Sequence, residues 1–459
     1  MNNIILNTDS YKVTMWKQYP PKTVGVYSYI EARGGDYDKT VMFGMQMFLK
    51  EYLCKPITQG NIDEAVEFYK AHGVPFNEAG WQHILDEHKG YLPLEVKAVK
   101  EGLVVPIKNV LVTVENTDPK CFWLTTWIET ALLRAIWYPT TVATVSYRIK
   151  QHIKRFMEDT GADMAGLPFK LHDFGARGVS SYESAGIGDA AHLVNFMGTD
   201  TVSGAWTAMK YYNCEMPGFS IPASEHSTIT SWGVDKEADA YRNMIEQFKY
   251  NGMLAVVSDS YDIFNAADVI WGQELHDEVV ESGAIVIIRP DSGEPIKVVS
   301  QLLEILAGRF GVTTNSLGYM LLNNVRIIQG DGIDENMIVA ILSEAKRLGY
   351  SAENLAFGMG GALLQHMNRD TSQWAMKCSA IKVEGESEWR DVYKAPKTDL
   401  GKASKRGRLS LIKEPSGKIL TVPEGYITLV DEDMLHTVFL DGRLINEISF
   451  DEVRANSEK

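Results

Sequence analysis

The sequence predicts an α/β fold, in which a (β/α) barrel-like domain is joined by an additional α+β domain built from the N- and C-terminal segments. Three observations favour this prediction. Short apolar, β-branched stretches recur between about residues 168 and 383, and each ends abruptly in Gly or a polar residue. Helix-like segments separate them, which is typical of βαβ units and a parallel sheet. The flanks lack this repeat, and 459 residues are enough for more than one domain.

The central part of the chain is the predicted barrel. Its apolar stretches begin at Phe169, Phe219, Leu254, Ala284, Val325 and Leu355. Between them, apolar residues three and four apart predict helices, as over 298–310 and 335–348. Units of roughly 30–50 residues, repeated six or more times, fit a closed barrel whose functional side chains lie at the carboxyl ends of its strands.

The two flanks are predicted to share the α+β domain. Their strand patterns lie at 24–30, 94–105, 421–430 and 437–450, and their helical patterns at 61–72 and 122–138. The predicted domains are therefore 1–150 and 385–459 for the α+β domain and 151–384 for the barrel.

Composition narrows the class of function. The net charge of −15 argues against a nucleic-acid coat or a polybasic membrane binder, since both need an outward positive field. Neither a signal peptide nor a membrane-spanning run is apparent. The four cysteines are far apart and form no CxxC pair. We therefore expect a cytoplasmic protein with reduced thiols, without nucleic-acid or membrane partners.

Anion-binding groups follow the predicted strands. Arg177, Arg289 and Arg369 offer forked donors suited to phosphate. The string Gly358-Met-Gly-Gly361 follows a strand and opens an apolar helix predicted over 362–367, so its bare N–H groups suit a phosphate. A GxGG string alone also fits an ordinary turn.

Carboxylates form a second group. Asp259, Asp291 and Asp331 each come just after an apolar stretch. Any one of them is explained by helix capping, but three at equivalent positions are better explained by a ligand. Short carboxylates can hold ribose hydroxyls or the waters of a magnesium ion. Together with the arginines, they predict a sugar phosphate as ligand.

His226 lies in the polar run Ser224-Glu-His-Ser-Thr228, after a predicted strand end, which favours acid–base or nucleophilic work. Asp259 can hold its ring in one tautomer. His172 is better explained as a buried hydrogen-bonding residue. A Walker A motif and a Rossmann GxGxxG fingerprint are both absent. A Schiff-base aldolase would need a barrel lysine, for which Lys170 and Lys377 are the candidates.

Several of these strings resemble a known family. They are Thr8–Thr14, His172–Gly178, Gly198–Thr201, Pro222–Thr228, Val257–Asp262, Arg289–Gly293, Gln329–Gly332 and Gly407–Ser410. In this order and nearly end to end, the chain resembles the nicotinamide phosphoribosyltransferases, which are type II phosphoribosyltransferases. The resemblance implies a head-to-tail homodimer with shared active sites. It implies the reaction of nicotinamide with 5-phosphoribosyl 1-pyrophosphate (PRPP) to give nicotinamide mononucleotide and pyrophosphate, with magnesium.

The resemblance also implies residue roles. Phe174 and a partner subunit's Tyr11 would sandwich the pyridine ring, Asp200 would accept from the carboxamide, and Arg177 and Ser220 would line the pocket. The implied ribose and 5′-phosphate site consists of Arg289, Asp291, Gly330, Asp331, Gly360, Gly361 and the partner's Arg369. The implied pyrophosphate and ATP site consists of Arg33, Lys377, Lys394 and Lys402, although the last two also fit a solvated run of charges.

His226 matches the histidine that this family phosphorylates with ATP. The implied catalytic set is His226, Glu225, Asp259 and Asp291, in which Glu225 and Asp259 would orient the imidazole. Mg²⁺ is expected to be held mainly through substrate phosphates rather than by protein ligands.

Two other functions stay open. A nicotinate phosphoribosyltransferase would have the same fold, but the carboxylate of nicotinate would be repelled by Asp200. A catalytically silent barrel binding protein would not need His226 together with the ribose carboxylates.

Overall fold

The structure is a computed structural model, and it describes residues 3–398, 403–426 and 432–459. The described chain divides into two compact units. The first contains the chain up to Thr144, the segment Ala208–Cys214 and the chain from Met367, and the second contains Val145–Thr207 and Glu215–His366. None of the described helices is long and apolar enough to cross a membrane.

The strands and helices follow in chain order. The strands are β1 (Thr23–Ala32), β2 (Lys39–Val41), β3 (Leu94–Ala98), β4 (Val104–Pro106), β5 (Val110–Asn116), β6 (Leu171–Asp173), β7 (Gly198–Thr199), β8 (Met253–Val257), β9 (Ile285–Arg289), β10 (Val312–Thr314), β11 (Met320–Leu322), β12 (Val325–Gln329), β13 (Leu355–Met359), β14 (Trp374–Val383), β15 (Arg390–Asp391), β16 (Leu409–Lys413), β17 (Ile419–Pro423), β18 (His436–Leu440) and β19 (Arg443–Leu444). The α-helices are α1 (Met45–Phe48), α2 (Gln59–His72), α3 (Glu78–His88), α4 (Leu124–Trp127), α5 (Glu129–Asp159), α6 (Tyr182–His192), α7 (Val202–Tyr212), α8 (His226–Thr230), α9 (Glu237–Phe248), α10 (Ile263–Asn265), α11 (His276–Ser282), α12 (Pro295–Phe310), α13 (Glu335–Arg347), α14 (Gly361–Leu364) and α15 (Phe450–Ser457).

The first unit is built on an antiparallel sheet in which strands of both flanks pair. Its order is β15-β14-β1-β5-β3-β18-β19. The long strand β14 pairs with β1 along most of its length. The predicted barrel boundary at residue 384 therefore lies after β14, whereas the structure ends the second unit at His366. An apolar strand run has the same sequence pattern in either kind of sheet, which is why the run at 374–383 was assigned to the barrel.

The core of the first unit packs large aromatic side chains against this sheet. Trp81, Trp123 and Trp127 make edge-to-face contacts with ring centroids 5.0–5.7 Å apart. Beside them, the Asp118 carboxylate accepts hydrogen bonds from the Nε2 atoms of His83 and His88, each at 2.7 Å. These bonds fasten the C-terminal half of α3 to the turn that follows β5.

The second unit contains a parallel sheet in the order β7-β6-β13-β12-β9-β8. Five of the six predicted barrel stretches form strands in it, and the helices predicted after β9 and β12 are α12 and α13. The α/β barrel-like fold class is thus confirmed, together with the α+β nature of the flanks. The two-residue strand β7 was not predicted, because it is too short to show a pattern.

The stretch that begins at Phe219 is not a regular strand, which corrects the prediction. It is an extended segment, residues 219–224, that bonds to both edges of the sheet. Thr199 N–H donates to the Phe219 carbonyl at 3.0 Å, and Ser224 N–H donates to the Ala255 carbonyl at 3.0 Å. Pro222 lacks an N–H and cannot complete a ladder. The segment closes the ring of strands without joining it as a full strand.

Candidate active site

The predicted site residues of the second unit follow the carboxyl ends of its parallel strands. Phe174 and Arg177 follow β6, Asp200 follows β7, Ser220 lies in the 219–224 segment with Glu225 and His226 directly after it, Asp259 follows β8, Asp291 follows Arg289 at the end of β9, Gly330 and Asp331 follow β12, and Gly360 and Gly361 follow β13. Because all these strands are parallel, their carboxyl ends face one side of the sheet. The structure therefore brings these residues to one rim.

Helix capping does not explain the three rim aspartates. Asp262 caps α10, Glu294 caps α12 and Asp334 caps α13, each with a side-chain oxygen that accepts from the first turn. Each cap lies three residues beyond a rim aspartate, at 259, 291 or 331. The capping alternative is thus excluded, and the rim carboxylates are available for other work.

Arg289 and Asp291 form a paired cation and anion on one turn. Arg289 Nη2 donates to Asp291 Oδ2 at 2.9 Å, and both side chains are about three-quarters buried. The guanidinium carbon also lies 5.5 Å from the centroid of the Phe174 ring. A phosphorylated, hydroxylated ligand can bind the outer donors of Arg289 and the free lone pairs of Asp291.

Phe174 sits at the centre of the rim, against a glycine floor. A Cβ added to Gly358 would lie 1.9 Å from Phe174 Cε2, so this position requires glycine to admit the ring. A Cβ on Gly330 would meet the same ring at 3.4 Å and Asp291 Oδ1 at 3.5 Å. The aromatic group predicted for the base and the groups predicted for the ribose are therefore neighbours.

The GxGG string has a narrower role than predicted. The helix after it is α14, which covers only Gly361–Leu364 instead of 362–367. Gly360 is its N-cap, with a backbone conformation (φ −101°, ψ −103°) outside the usual regions for side-chain-bearing residues. Gly358 provides room for an aromatic ring, and only Gly360 and Gly361 stay candidates for a phosphate contact.

Asp200 and Ser220 meet across the ring closure. The Ser220 hydroxyl donates to Asp200 Oδ1 at 2.5 Å, and both residues are exposed to solvent on the rim. The Asp200 main-chain N–H donates to the Asp173 carbonyl at 3.0 Å, which fixes the start of this loop. Arg177 lies on the same side of the unit and is exposed. Asp200 thus offers a carboxylate acceptor on the loop after β7, which neighbours β6, the strand that Phe174 follows.

His226 is held by a carboxylate, as predicted. Its Nε2 lies 2.9 Å from Asp259 Oδ1, and Asp259 Oδ2 accepts from the Ser292 hydroxyl at 2.5 Å. The Asp259 side chain is only 4% exposed, whereas that of His226 is 45% exposed. Since an ionised carboxylate can only accept, Nε2 carries the hydrogen and Nδ1 carries the lone pair. The hydrogen-bond partner of Glu225 is the Ser227 hydroxyl, so its predicted contact with the imidazole is not formed.

His172 is a hydrogen-bonding residue of the wall, as predicted. Its Nε2 lies 3.1 Å from the Phe169 carbonyl oxygen, and a Cβ on Gly198 would lie 2.8 Å from the ring. Burial lowers the pKa of His172, which keeps it neutral at pH 7.

Lys170 does not offer a Schiff-base nucleophile at the rim. It precedes β6, at the opposite end of the strand from Phe174, and its Nζ donates to the Glu353 carbonyl at 2.8 Å. Burial lowers its pKa to about 8. Its main-chain partner identifies it as a structural residue and argues against the aldolase reading.

The remaining predicted residues lie in the first unit. Burial lowers the pKa of Lys377, the Glu129 carboxylate raises it, and the charges of Arg33, Lys394 and Lys12 lower it further. Tyr11 is 61% exposed, and Arg369 pairs with Asp370 at 3.1 Å. Lys402 lies outside the described residues. Three of the four predicted pyrophosphate residues are thus near enough to influence one another, and the Lys12–Glu129 ion pair, at 2.6 Å, lies among them.

Three residues of the site were missed. Ser292 holds Asp259, and its position beside Asp291 was the available signal. Asp173 and Asp189 are fully buried behind the rim. Asp189 lies in the small-residue helix Ala185-Gly-Ile-Gly-Asp-Ala-Ala191, where one acidic residue among apolar neighbours was a signal for a buried polar contact.

Comparisons with known proteins settle the family. The sequence model of the "Nicotinate phosphoribosyltransferase (NAPRTase) family" matches residues 169–442, and that of the "Nicotinamide phosphoribosyltransferase, N-terminal domain" matches residues 3–96. The chain belongs to the NAPRTase family. It is an enzyme of phosphoribosyl transfer, a reaction of NAD biosynthesis.

Two relatives carry the name nicotinamide phosphoribosyltransferase. The protein from Xanthomonas campestris pv. campestris is 52% identical over 100% of this chain and 98% of its own length. The protein from Acinetobacter baylyi is 31% identical over 97% of this chain and 95% of its own length.

Solved structures share the fold at low sequence identity. Nicotinate-nucleotide pyrophosphorylase from Pyrococcus furiosus matches with a TM-score of 0.65 and 17% identity, over 99% of this chain and 95% of that chain. Human nicotinic acid phosphoribosyltransferase matches with a TM-score of 0.54 and 16% identity, over 98% and 92%. At these identities the likeness concerns the fold alone.

Proposed function

We propose that this NAPRTase-family member transfers the phosphoribosyl group of PRPP to nicotinamide, giving nicotinamide mononucleotide and pyrophosphate. The observation that carries the choice of base is Asp200, an acceptor that is bonded to Ser220 and whose main-chain N–H bonds to Asp173, the residue before Phe174. A carboxylate accepts from a carboxamide NH₂ but repels the carboxylate of nicotinate. The name borne by the relatives from Xanthomonas and Acinetobacter supports the same choice.

The chemistry is a displacement at the anomeric carbon. The ring nitrogen of nicotinamide forms a bond to C1 of the ribose, the bond from C1 to the pyrophosphate oxygen breaks, and pyrophosphate leaves with the electron pair. The ring becomes a pyridinium cation, which the face of Phe174 and the negative charge of Asp200 stabilise. Asp291 and Asp331 bind ribose hydroxyls, and Arg289 binds phosphate. The enzyme acts mainly by positioning and electrostatics.

We further propose that ATP phosphorylates His226. The Nδ1 lone pair attacks the γ-phosphorus of ATP, and ADP leaves with the electrons of the broken bond. Hydrogen bonding of Nε2 to Asp259 supports this role, because it leaves Nδ1 as the nucleophile of a half-exposed ring and stabilises positive charge on that ring. A phosphoryl group on His226 would place negative charge at the rim, near the developing cation.

Magnesium fits the rim through its oxygen chemistry. The Asp331 carboxylate is exposed and has no hydrogen-bond or ion-pair partner within the described part of the chain. Asp291 has lone pairs beyond those used by Arg289. Asp291 and Asp331 would help to hold Mg²⁺ together with the substrate phosphates, and the ion would supply positive charge for the pyrophosphate group.

We propose a homodimer with shared sites and a cytoplasmic location. The homodimer is supported by Tyr11, which is 61% exposed in one chain, because a partner subunit could place it over a ring stacked on Phe174. The free thiols of all four cysteines support the cytoplasmic location. Mixing Tyr11→Ala with Phe174→Ala protein should restore roughly a quarter of the activity, since a mixed dimer keeps one intact site. No restoration would refute the shared site.

The decisive experiment compares nicotinamide with nicotinate, with and without ATP. We expect nicotinamide to be preferred in kcat/KM, and Asp200→Ser to narrow the preference by ~1–3 kcal/mol, roughly 5- to 150-fold. Asp277→Ser, at an exposed aspartate of α11, is the matched control and should leave the preference unchanged. Equal or inverted preference in the native enzyme would establish the nicotinate alternative. No pyrophosphate release with either base would establish the silent binding protein.

The ATP proposal has its own test. Label from the γ-phosphate of ATP should appear on the protein and vanish in His226→Ala, while phosphoribosyl transfer persists at a reduced rate. The control is His276→Ala, which removes a partly exposed histidine of α11 outside the predicted site. Label that survives in His226→Ala would disprove the assignment.

A further inference from the structure

Two buried acids lie directly behind the base-binding rim. Asp173 ends β6 and Asp189 lies in α6, and both are fully buried. The two carboxyl groups are close enough for each to shift the pKa of the other. Burial raises the pKa of Asp173 to about 6, and burial together with the neighbouring Asp173 raises the pKa of Asp189 well above its usual range.

The hydrogen bonds of this pair are incomplete unless one additional proton is present. Asp173 Oδ1 accepts from the Gly175 N–H at 2.7 Å, and Asp189 Oδ1 accepts from the Thr199 hydroxyl at 2.8 Å. With both carboxyls ionised, neither Oδ2 atom has a donor that forms a hydrogen bond to it in the described part of the chain, although the buried Thr201 hydroxyl, which also has no partner there, is close enough to Asp173 to lower its pKa. Two buried acceptors without donors are costly, and two adjacent anions more so. A single proton between the two groups removes both costs.

We propose that Asp173 and Asp189 share one proton and that this carboxylic acid–carboxylate pair positions the nicotinamide-binding residues Asp200 and Phe174. The proposal rests on the proposed function for its substrate. The two acids do not touch the ligand; they act through the main chain on either side of it.

The connection to the rim runs through the residues next to the two binding groups. Phe174 directly follows Asp173, whose carbonyl accepts from the Asp200 N–H at 3.0 Å. Asp200 lies between Thr199, which donates to Asp189, and Thr201, whose N–H donates to Thr199 Oγ1 at 2.9 Å. Both walls of the base pocket are therefore fastened to the same pair of acids.

The groups packed around the pair do not offset its negative charge, so the shared proton does. Asp200 on the β7 side adds a third negative charge, which raises the pKa of both acids. On β6, His172 has its pKa lowered by burial and is neutral. On α7, a Cβ at Gly204 would lie 1.9 Å from Asp189 Oδ2, so this helix packs tightly on the acid and leaves no room for a cation there.

The consequence is a pocket that loosens at alkaline pH. When the shared proton is lost, two adjacent buried anions repel, and the β6 end separates from the Thr199 loop. We expect the KM for nicotinamide to rise at alkaline pH, while the KM for PRPP changes less. Asn at position 189 would carry a permanent N–H toward Asp173 and an oxygen for Thr199. It should therefore abolish the alkaline rise.

The test uses the full-length protein as Asp189→Asn and Asp189→Ala. Asp189→Asn should keep the nicotinamide KM within about twofold of the native value near neutral pH and remove its alkaline rise, whereas Asp189→Ala should raise it about tenfold or more. A nicotinamide KM raised as much by Asn as by Ala would overturn the positioning role. If the Ala variant does not fold, the pH dependence of the Asn variant alone decides.

A second readout needs no substrate. Because the folded-state pKa of Asp189 is raised, its stabilising protonation is lost as pH rises through that pKa. The thermal unfolding midpoint of Asp189→Asn, relative to that of the native protein, should thus increase as pH rises. The midpoint of Asp277→Asn should show no such relative increase. Parallel pH profiles would overturn the shared proton. If the native enzyme does not use nicotinamide but the pH profiles of unfolding of the native protein and Asp189→Asn diverge, the proposed function is wrong and the shared proton is still supported.

Discussion

Two buried carboxyl sites, one in each unit, solve the same physical problem differently. In the first unit, Glu101 is buried and its two oxygens accept from the Gly44 N–H, the Gln46 N–H and the Tyr212 hydroxyl at 2.7–2.8 Å. Burial raises the pKa of Glu101, and these three donors lower it. In the second unit, Asp173 and Asp189 have one donor each on their Oδ1 atoms and none on Oδ2 among the described residues.

The difference teaches how a buried acid becomes sensitive to its surroundings. Glu101 is saturated with fixed donors, and it fastens the start of α1 and the Tyr212 side chain within the first unit. The Asp173–Asp189 pair is completed by a mobile proton, and its members adjoin Phe174 and Asp200. A carboxyl with a full set of donors supports the fold; a carboxyl that lacks one can couple a pocket to protonation.

The largest effect is expected at the saturated site. Glu101→Ala leaves two main-chain N–H groups and the Tyr212 hydroxyl buried without acceptors, at about 1–3 kcal/mol each. We expect a loss of about 3 kcal/mol or more in the free energy of unfolding, measured with urea. Asp86→Ala, at an exposed position of α3, is the control. A loss below about 1 kcal/mol would mean that the site relaxes freely, and it would contradict the difference drawn between Glu101 and the Asp173–Asp189 pair.

Matched deletions of one hydroxyl at each site sharpen the comparison. Tyr212→Phe and Thr199→Val each remove one donor to a buried carboxyl, and each should cost about 1–2 kcal/mol of unfolding free energy. They should differ in function: Thr199→Val raises the KM for nicotinamide, and Tyr212→Phe does not. Equal KM values in the two variants would contradict the link between the acid pair and the pocket.

A third carboxyl, Asp118, provides a partly exposed reference. Burial tends to raise its pKa, but hydrogen bonds from His83 and His88 lower it to about 2. Its pKa is depressed on folding, so its stabilisation is present above pH 4 and is lost as pH falls toward 2. With screening taken into account, Asp118→Asn should cost about 1 kcal/mol at neutral pH and little at pH 2. A pH-independent cost would show that packing, not charge, is at stake.

The smallest effect is expected at Lys170. Its amine is buried with one main-chain partner, so Lys170→Met loses a hydrogen bond but also removes a charge that burial disfavours. We expect a change within about 1 kcal/mol in unfolding free energy and unchanged turnover. A variant without activity, or a borohydride-trapped adduct on native Lys170, would revive the aldolase reading.

The repeat of apolar stretches was enough to predict the barrel class, five of its strands and the edge on which the site lies. It was also enough to place Asp259, His226, Arg289 and Asp291 together, because parallel strands gather their carboxyl ends. The bond of Asp259 to His226 could be predicted from the residues, whereas the direction of the Glu225 side chain, toward Ser227, could not. The run at 374–383 was assigned to the wrong unit, because hydrophobic alternation does not name the partner strand.

The acid pair shows a different limit of sequence reasoning. Asp173 and Asp189 are distant enough in sequence that their pairing depends on the packing of α6 against β6. A single sequence identifies each as a polar residue in an apolar setting, but the missing proton becomes visible only from atomic hydrogen-bond accounting. The same holds for Gly358, whose role is set by the position of the Phe174 ring.

The segment 219–224 closes the ring through main-chain bonds at Phe219, Pro222 and Ser224, while the side chains of Phe219, Ser220 and Ala223 face solvent. Mutations at these three positions can therefore accumulate without disturbing the barrel wall. Ser220 also bonds to Asp200, the proposed acceptor for the base. Selection for a different pyridine or another heterocycle could therefore begin in this short stretch at little cost in stability.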